Sequence, residues 1–251
     1  MNKLAWTAAG LLVLSAAPVL AADLPAKVYT KAPAVVAPIY NWAGFYVGVN
    51  GGGGSSHNCW DLNSVLGVGP IPTVAEGCHD ATGGLAGGQI GYRWQSTNWV
   101  FGLEAQGDWA NLKGSNTSAP AAFAPIVNQT KIDAIGLFTG QIGYAWNNVL
   151  GYVKGGAAVT DNKYNGLLAG VTFDSASDTR WGGVVGAGIE VGFAPHWSVA
   201  FEYDHLFMDR HNVSFTALGV VVDRTDSIRQ DVDTGTVRVN YTFGGPIVAK
   251  Y

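Results

Sequence analysis

Cys59 and Cys78 are the only thiols in this 251-residue chain, and His57 and His79 flank them. Two isolated cysteines pair in an oxidising compartment, and closing a loop of about 19 residues contributes roughly 3 kcal/mol in the chain-entropy model. The same four residues could ligate zinc, but their spacing lacks the paired-ligand form of such sites. A disulfide is therefore expected, with no metal and no cofactor.

A second candidate for chemistry is the carboxylate pair Glu202 and Asp204. Residues i and i+2 of a strand share a face, so alternation alone produces that pair without any acid–base role. His211 and Ser214 sit in a polar stretch, and His205 is expected on an apolar face. The run Gly51–Gly54 has no following Lys-Ser/Thr and is no phosphate loop. Gly186 and Gly188 lie in a strand pattern with no helix after them, which excludes a dinucleotide fingerprint. No nucleophile and base can be assigned, and the chain is not expected to be an enzyme.

The carboxylates lead back to the elements that carry them. From Gly235 on, Val237, Val239, Tyr241 and Phe243 alternate with Arg238, Asn240 and Thr242. A segment of about ten such residues ending on aromatics suits a strand with one face against lipid and the other lining a polar interior. With 231–243, the segments 45–51, 86–94, 99–109, 138–146, 149–159, 181–193 and 197–207 alternate in the same way, least clearly in 149–159. Their even number is what a single-chain bacterial barrel requires. Composition agrees. Charged residues make up 13% of the chain against about 25% in soluble domains, with 12% aromatics and 35 glycines. Beyond the N-terminus no run of 18 apolar residues offers a helical span. The fold expected is all-β, an eight-stranded antiparallel up-and-down transmembrane β-barrel.

Parity sends Arg93, Lys154 and Arg238 inward beside Glu104, Asp108, Glu190, Glu202 and Asp204. Eight strands leave a bore just wide enough for side chains, and charges sealed from water must be paired. The expected interior is a salt-bridged plug; the competing reading is a narrow pore in which Arg–Glu pairs exchange partners. Short turns at 95–97, 147–148 and 194–196 alternate with long polar connections at roughly 55–81, 113–128, 161–178 and 209–230. That asymmetry places both barrel termini in the periplasm and the long loops outside. Trp42, Trp94, Trp99, Trp146, Phe193, Trp197 and Phe243 fall at the short-turn end as a periplasmic aromatic girdle, with Trp109, Trp181 and Phe207 in an outer one. Residues 1–21 read as a signal peptide: Lys3, an apolar stretch over 8–17, then a small-residue cleavage site. An Ala/Pro-rich periplasmic lead-in (22–41), the barrel (42–243) and a short tail (244–251) follow.

The segment Trp42-Ala43-Gly44-Phe45-Tyr46-Val47-Gly48 resembles the W-x-G-F-Y-x-G opening of the porin-opacity type surface proteins of Gram-negative bacteria. The rhizobial and brucella-type major outer-membrane antigens belong to that group. The ending Asn240-Tyr241-Thr242-Phe243-Gly244-Gly245-Pro246 resembles their last strand. The resemblance spans essentially the whole mature chain and implies a barrel similar to the transmembrane part of OmpA. It implies a structural protein of the cell outer membrane that supports envelope integrity and surface display. A narrow porin and a loop-mediated adhesin or haem-binding protein are the alternatives. The expected partners are outer-membrane lipid and lipopolysaccharide, with a host or small-molecule ligand at the loops. The net charge of −4 and the lack of any Lys/Arg cluster in the sequence argue against nucleic acid.

Overall fold

The computed structural model describes residues 40–65, 69–119, 126–217 and 221–244. The expected signal peptide, residues 22–39 of the lead-in and the tail beyond Gly244 lie outside these residues. Eight antiparallel strands close into one barrel: β1 (Gly44–Val65), β2 (Gly69–Ser96), β3 (Trp99–Thr117), β4 (Ile126–Trp146), β5 (Val149–Leu168), β6 (Val171–Ala194), β7 (Trp197–Ala217) and β8 (Val221–Thr242). Each strand is bonded to its chain neighbours, and β1 closes on β8 from Tyr46↔Thr242 to Val65↔Arg224. Closure leaves no sheet edge, so the backbone polar groups bond one another where lipid offers no partner.

Two-residue turns join β2 to β3, β4 to β5 and β6 to β7. Such hairpins need positive φ, found at Thr97 (56°), Asn147 (55°) and His196 (69°). Asn tolerates this region; Thr97, branched at Cβ, is there under strain. Asn98 and Asn148 donate to the carbonyls of Ala145 (3.0 Å) and Gly192 (3.1 Å), fastening two turns to neighbouring strands.

Every strand is longer than the bilayer demands. A membrane-crossing strand needs about 9–11 residues, whereas these run from 19 to 28. The segments expected as long loops are mostly paired strand, as in His57↔Asp80, Asn162↔Asp178 and Ser214↔Thr225. At that end the described strands run to Val65 and from Gly69, to Thr117 and from Ile126, to Leu168 and from Val171, and to Ala217 and from Val221. The physical reason is that alternation continues with polar outward residues once the chain leaves the lipid. In β4, Asn128, Thr130 and Ile132 still face in while Gln129 and Lys131 face out. A search for apolar outward faces stops at the membrane edge, but the apolar residues Ile126, Leu167, Leu168, Phe215, Val221 and Val222 in those segments fit strands that extend beyond the bilayer. All of them lie in strands; Phe123 and 218–220 fall outside the described residues.

The outward face carries an apolar band. Trp94, Trp99, Trp146, Phe193, Trp197 and Phe243 are exposed at the short-turn end, and Trp109, Trp181 and Phe207 at the other. Trp42 is a correction to the expected girdle, because its side chain is only 1% exposed and lies inside the barrel. It shares the even parity of inward-facing Tyr46; its aromatic type and its place beside the short turns suggested the opposite.

Because the outer hairpins are paired strand, the amides of 55–62 and 160–168 should exchange slowly in hydrogen–deuterium measurements on the detergent-solubilised barrel. Exchange there at random-coil rates would show these segments to be loops.

Candidate functional site

The interior is filled in layers. Nearest the short turns, Trp42, Val100, Ala145, Leu150 and Tyr152 pack together, with Tyr40 against them. Above this stopper lie the eight charged residues that parity assigned inward, all of them buried. Arg93 donates to Glu190 across the barrel at 2.8 Å, and its guanidinium stands 4.3 Å from the centre of the Tyr46 ring. Glu190 also accepts from Ser198 and from Asn240 (2.9 Å). The two arms of Arg238 bridge Glu104 and Glu202. Lys154 lies 2.7 Å from Glu202, 3.1 Å from Asp204 and 3.8 Å from Glu104. Asp108 is held instead by the Gln106 amide at 2.8 Å, and among the described residues it forms no ion pair. Glu202 and Asp204, the pair that invites an acid–base reading, are thus tied to the same lysine.

The network is built twice. Tyr46 of β1 stands opposite Gly91 of β2, which stands opposite Glu104 of β3. Half a barrel away, Tyr152 of β5 is opposite Gly188 of β6, opposite Glu202 of β7. Each tyrosine crosses its glycine and donates to its glutamate at 2.6 Å. A Cβ at Gly91 or Gly188 would come within 2.5 Å of the tyrosine ring, so both positions require glycine. Two residues on from these glycines, Arg93 and Glu190 occupy equivalent places in the halves and pair with each other. Sequence reasoning missed this twofold pattern.

A second correction concerns what lies above. Leu112, Ile132, Ile135, Leu137, Ala158, Val184, Leu206, Met208 and Val232 form a buried apolar cluster inside the barrel. The expected interior was ionic throughout. The signal was broken alternation: Leu137-Phe138, Val184-Val185 and Leu206-Phe207-Met208 put apolar side chains on both faces, as doubly buried strands do.

Beyond this layer, outside the membrane-spanning half, a further ionic chamber holds residues that sequence reasoning left in polar loops. Arg224 pairs with Asp174 (2.7 Å), Glu76 (3.1 Å) and Asp226 (3.2 Å) and lies 4.4 Å from the Phe215 ring. Burial pushes its guanidinium pKa down, but the Asp226, Asp174 and Glu76 carboxylates more than reverse this. Trp60, Tyr164, Val213, Phe215 and Ile228 pack around it. Arg180 donates to Gln230 (3.2 Å) and to the Ile228 carbonyl (2.9 Å). Cys59 and Cys78, opposite each other on β1 and β2, are joined by a disulfide. The two histidines beside them do not converge. His57 is on the outside with Asp80 (2.7 Å), while His79 points inward to Asn116 (2.8 Å) and Thr130 (2.9 Å). With both sulfurs bonded and the histidines on opposite faces, the four residues do not form a metal centre.

Comparison with known proteins agrees with this architecture. Residues 7–243 match the family described as outer membrane protein beta-barrel domain. A 31 kDa outer-membrane immunogenic protein of Brucella melitensis is 29% identical over 252 residues, covering 94% of this chain and 98% of that protein. A 25 kDa outer-membrane immunogenic protein of Brucella canis is 26% identical over 243 residues, covering 97% and 98%. Among solved structures, the outer membrane protein OprG from Pseudomonas aeruginosa superposes with a TM-score of 0.56 at 11% identity, covering 83% of this chain and 100% of that one. That last likeness is one of fold. The protein resides in the cell outer membrane.

Two measurements probe the interior. Gly188→Ala forces its methyl into the Tyr152 ring and should destabilise the barrel by about 1–3 kcal/mol in urea-dependent refolding into vesicles. The same change in a Tyr152→Ala background should cost clearly less, and equal costs would show that the ring is not what the glycine admits. In the chamber, burial holds the His79 pKa below its usual value, opposed by the hydrogen bond with Asn116. A depressed pKa means the folded state favours neutral imidazole. Its stabilisation is therefore present above the unfolded value of about 6.5 and lost as pH falls through the folded one. Protease nicking of the β1–β2 hairpin should thus rise below about pH 6 in the wild type, with a flatter profile in His79→Gln.

Proposed function

Because the chain belongs to the outer membrane protein beta-barrel domain family, we propose that it is a structural outer-membrane protein with a closed interior. In this reading the short turns and both chain termini of the barrel lie in the periplasm, and the long hairpins display surface to the outside. The apolar layer supports it above all. Nine aliphatic and methionine side chains span the interior between two ionic zones, and a dry constriction of this kind is a barrier to hydrated ions. The ionic zone beneath it stiffens the wall, since forks such as Arg238 to Glu104 and Glu202 tie β8 to β3 and β7. The mechanical role follows from that cross-bracing, and surface display is consistent with the name of the Brucella relatives, immunogenic outer-membrane proteins.

A second reading, contact with a host or small-molecule partner, draws on the far hairpin ends. Leu168, Val171, Val221 and Val222 are 47–69% exposed there, well beyond the apolar band. Exposed apolar side chains grouped away from lipid suit partner contact.

Planar-bilayer recording separates closure from conduction. The purified barrel should give no reproducible conductance steps, whereas Leu137→Ser/Leu206→Ser/Met208→Ser, which wets the apolar layer, should introduce them. Discrete long-lived openings in the wild type would replace the closed-barrel reading with a pore.

A further inference from the structure

Outward-facing cations are unevenly spread. Lys113 of β3, Lys131 of β4 and Lys163 of β5 are direct cross-strand partners, Lys113↔Lys131↔Lys163, in one row on the outer face. Like charges placed directly opposite on neighbouring strands repel, so the row is costly unless an anion completes it. Asp133 bonds both Lys131 and Lys163, the latter at 2.7 Å, and Asp161 adds a further negative charge near Lys163. Lys113 forms no ion pair among the described residues. Three lysines thus face two carboxylates. Elsewhere on the outer half, exposed Arg210 meets a single carboxylate, Asp61, and no second row of directly opposed cations occurs among the described residues.

Depth gives the row its meaning. Lys113 follows Trp109 by four residues on β3, and Trp109, 80% exposed, marks the outer edge of the apolar band. At about 3.3 Å per residue and a tilt of about 40°, the row stands roughly 10 Å beyond the hydrocarbon, level with lipid headgroups. Below it, the same three strands carry two shallow outward hollows of about 430 and 500 Å³. The upper hollow is lined by Leu103, Ala105, Phe138 and Gly140, and the lower one, with Gly140, Gly155, Ile142 and Val153, continues down to Phe101 and Trp94 near the short turns. Higher on the wall, Gly107 faces open space.

We propose that the β3–β4–β5 wall is a binding site for one molecule of a phosphorylated outer-leaflet glycolipid, lipopolysaccharide. An acyl chain lies in the glycine-lined groove, and a headgroup phosphate is held by Lys113, Lys131 and Lys163. A phosphate supplies the negative charge that the row lacks, and the groove fits a flexible chain entering from the bilayer side. The site is independent of whether the interior conducts.

The test is native mass spectrometry and titration of the full barrel in detergent with diphosphoryl lipid A, with folding checked by the mobility of unheated samples in gels. The wild type should bind one lipid A. Lys113→Gln/Lys131→Gln/Lys163→Gln should bind it about 10-fold more weakly or worse, while Arg210→Gln/Arg229→Gln on the opposite wall should bind as the wild type does. Gly140→Leu/Gly155→Leu fills the groove at positions where a Cβ meets nothing closer than 3.5 Å, and it should also weaken binding. Unchanged affinity in the lysine variant, or an equal loss in the arginine variant, overturns the proposal. So does inorganic phosphate binding as tightly as lipid A and insensitively to the groove substitutions, which would mark a site for the anion alone.

Discussion

The bore of an eight-stranded barrel has no room for bulk water, so every charge that alternation turns inward must be answered by another wall of the same cylinder. Burying an ion costs several kcal/mol even after relaxation, and a single pairing seldom offsets it. The interior responds with shared partners. Arg238 serves two glutamates, Lys154 serves three carboxylates, and two tyrosines complete the coordination of Glu104 and Glu202. All of these links except Arg238 to Glu202, which joins adjacent β8 and β7, cross the barrel or skip a strand, so the electrostatic requirement and the rigidity of the wall have one cause. Glycine is the structural price of that arrangement, since Gly91 and Gly188 clear the path that each tyrosine takes.

The same constraint explains the layering. An ionic zone, an apolar zone and a second ionic zone succeed one another along the axis. The apolar layer separates two clusters rich in carboxylates, each of which then solves its pairing locally. In the outer cluster Arg224 alone gathers Asp174, Glu76 and Asp226, and the aromatic rings of Phe215 and Trp60 cover its faces. This outer half extends the sheet well past the lipid because its strands have a core of their own to bury. The Cys59–Cys78 bond closes one hairpin of that half.

The outer surface obeys different rules, because its solvent changes with height. Aromatics mark both edges of the apolar band, and beyond the outer edge charged side chains appear at once. There Lys113, Lys131 and Lys163 line up across β3, β4 and β5, while β8 carries Asp231 and Asp233 beside Phe207 and His205. The barrel therefore presents two electrostatically different sides to the headgroup region, a property of register rather than of net charge.

The sequence by itself determined the class of fold, the number of strands and the direction of most side chains in the membrane-spanning half. Period-2 alternation is local, and lipid on one side makes it legible, as in Val237 to Phe243 against Arg238 to Thr242. It also brought the eight inward charges to one interior, because parity decides which face a residue takes. Which of them meet was decided only by closure: Arg93 finds Glu190 97 positions away, and Arg238 finds Glu104 134 positions away. Trp42, the apolar layer and the Arg224 chamber escaped for a related reason. Where no lipid imposes a greasy outer face, or where both faces are apolar, alternation carries no contrast, and only the closed sheet reveals what lies within it.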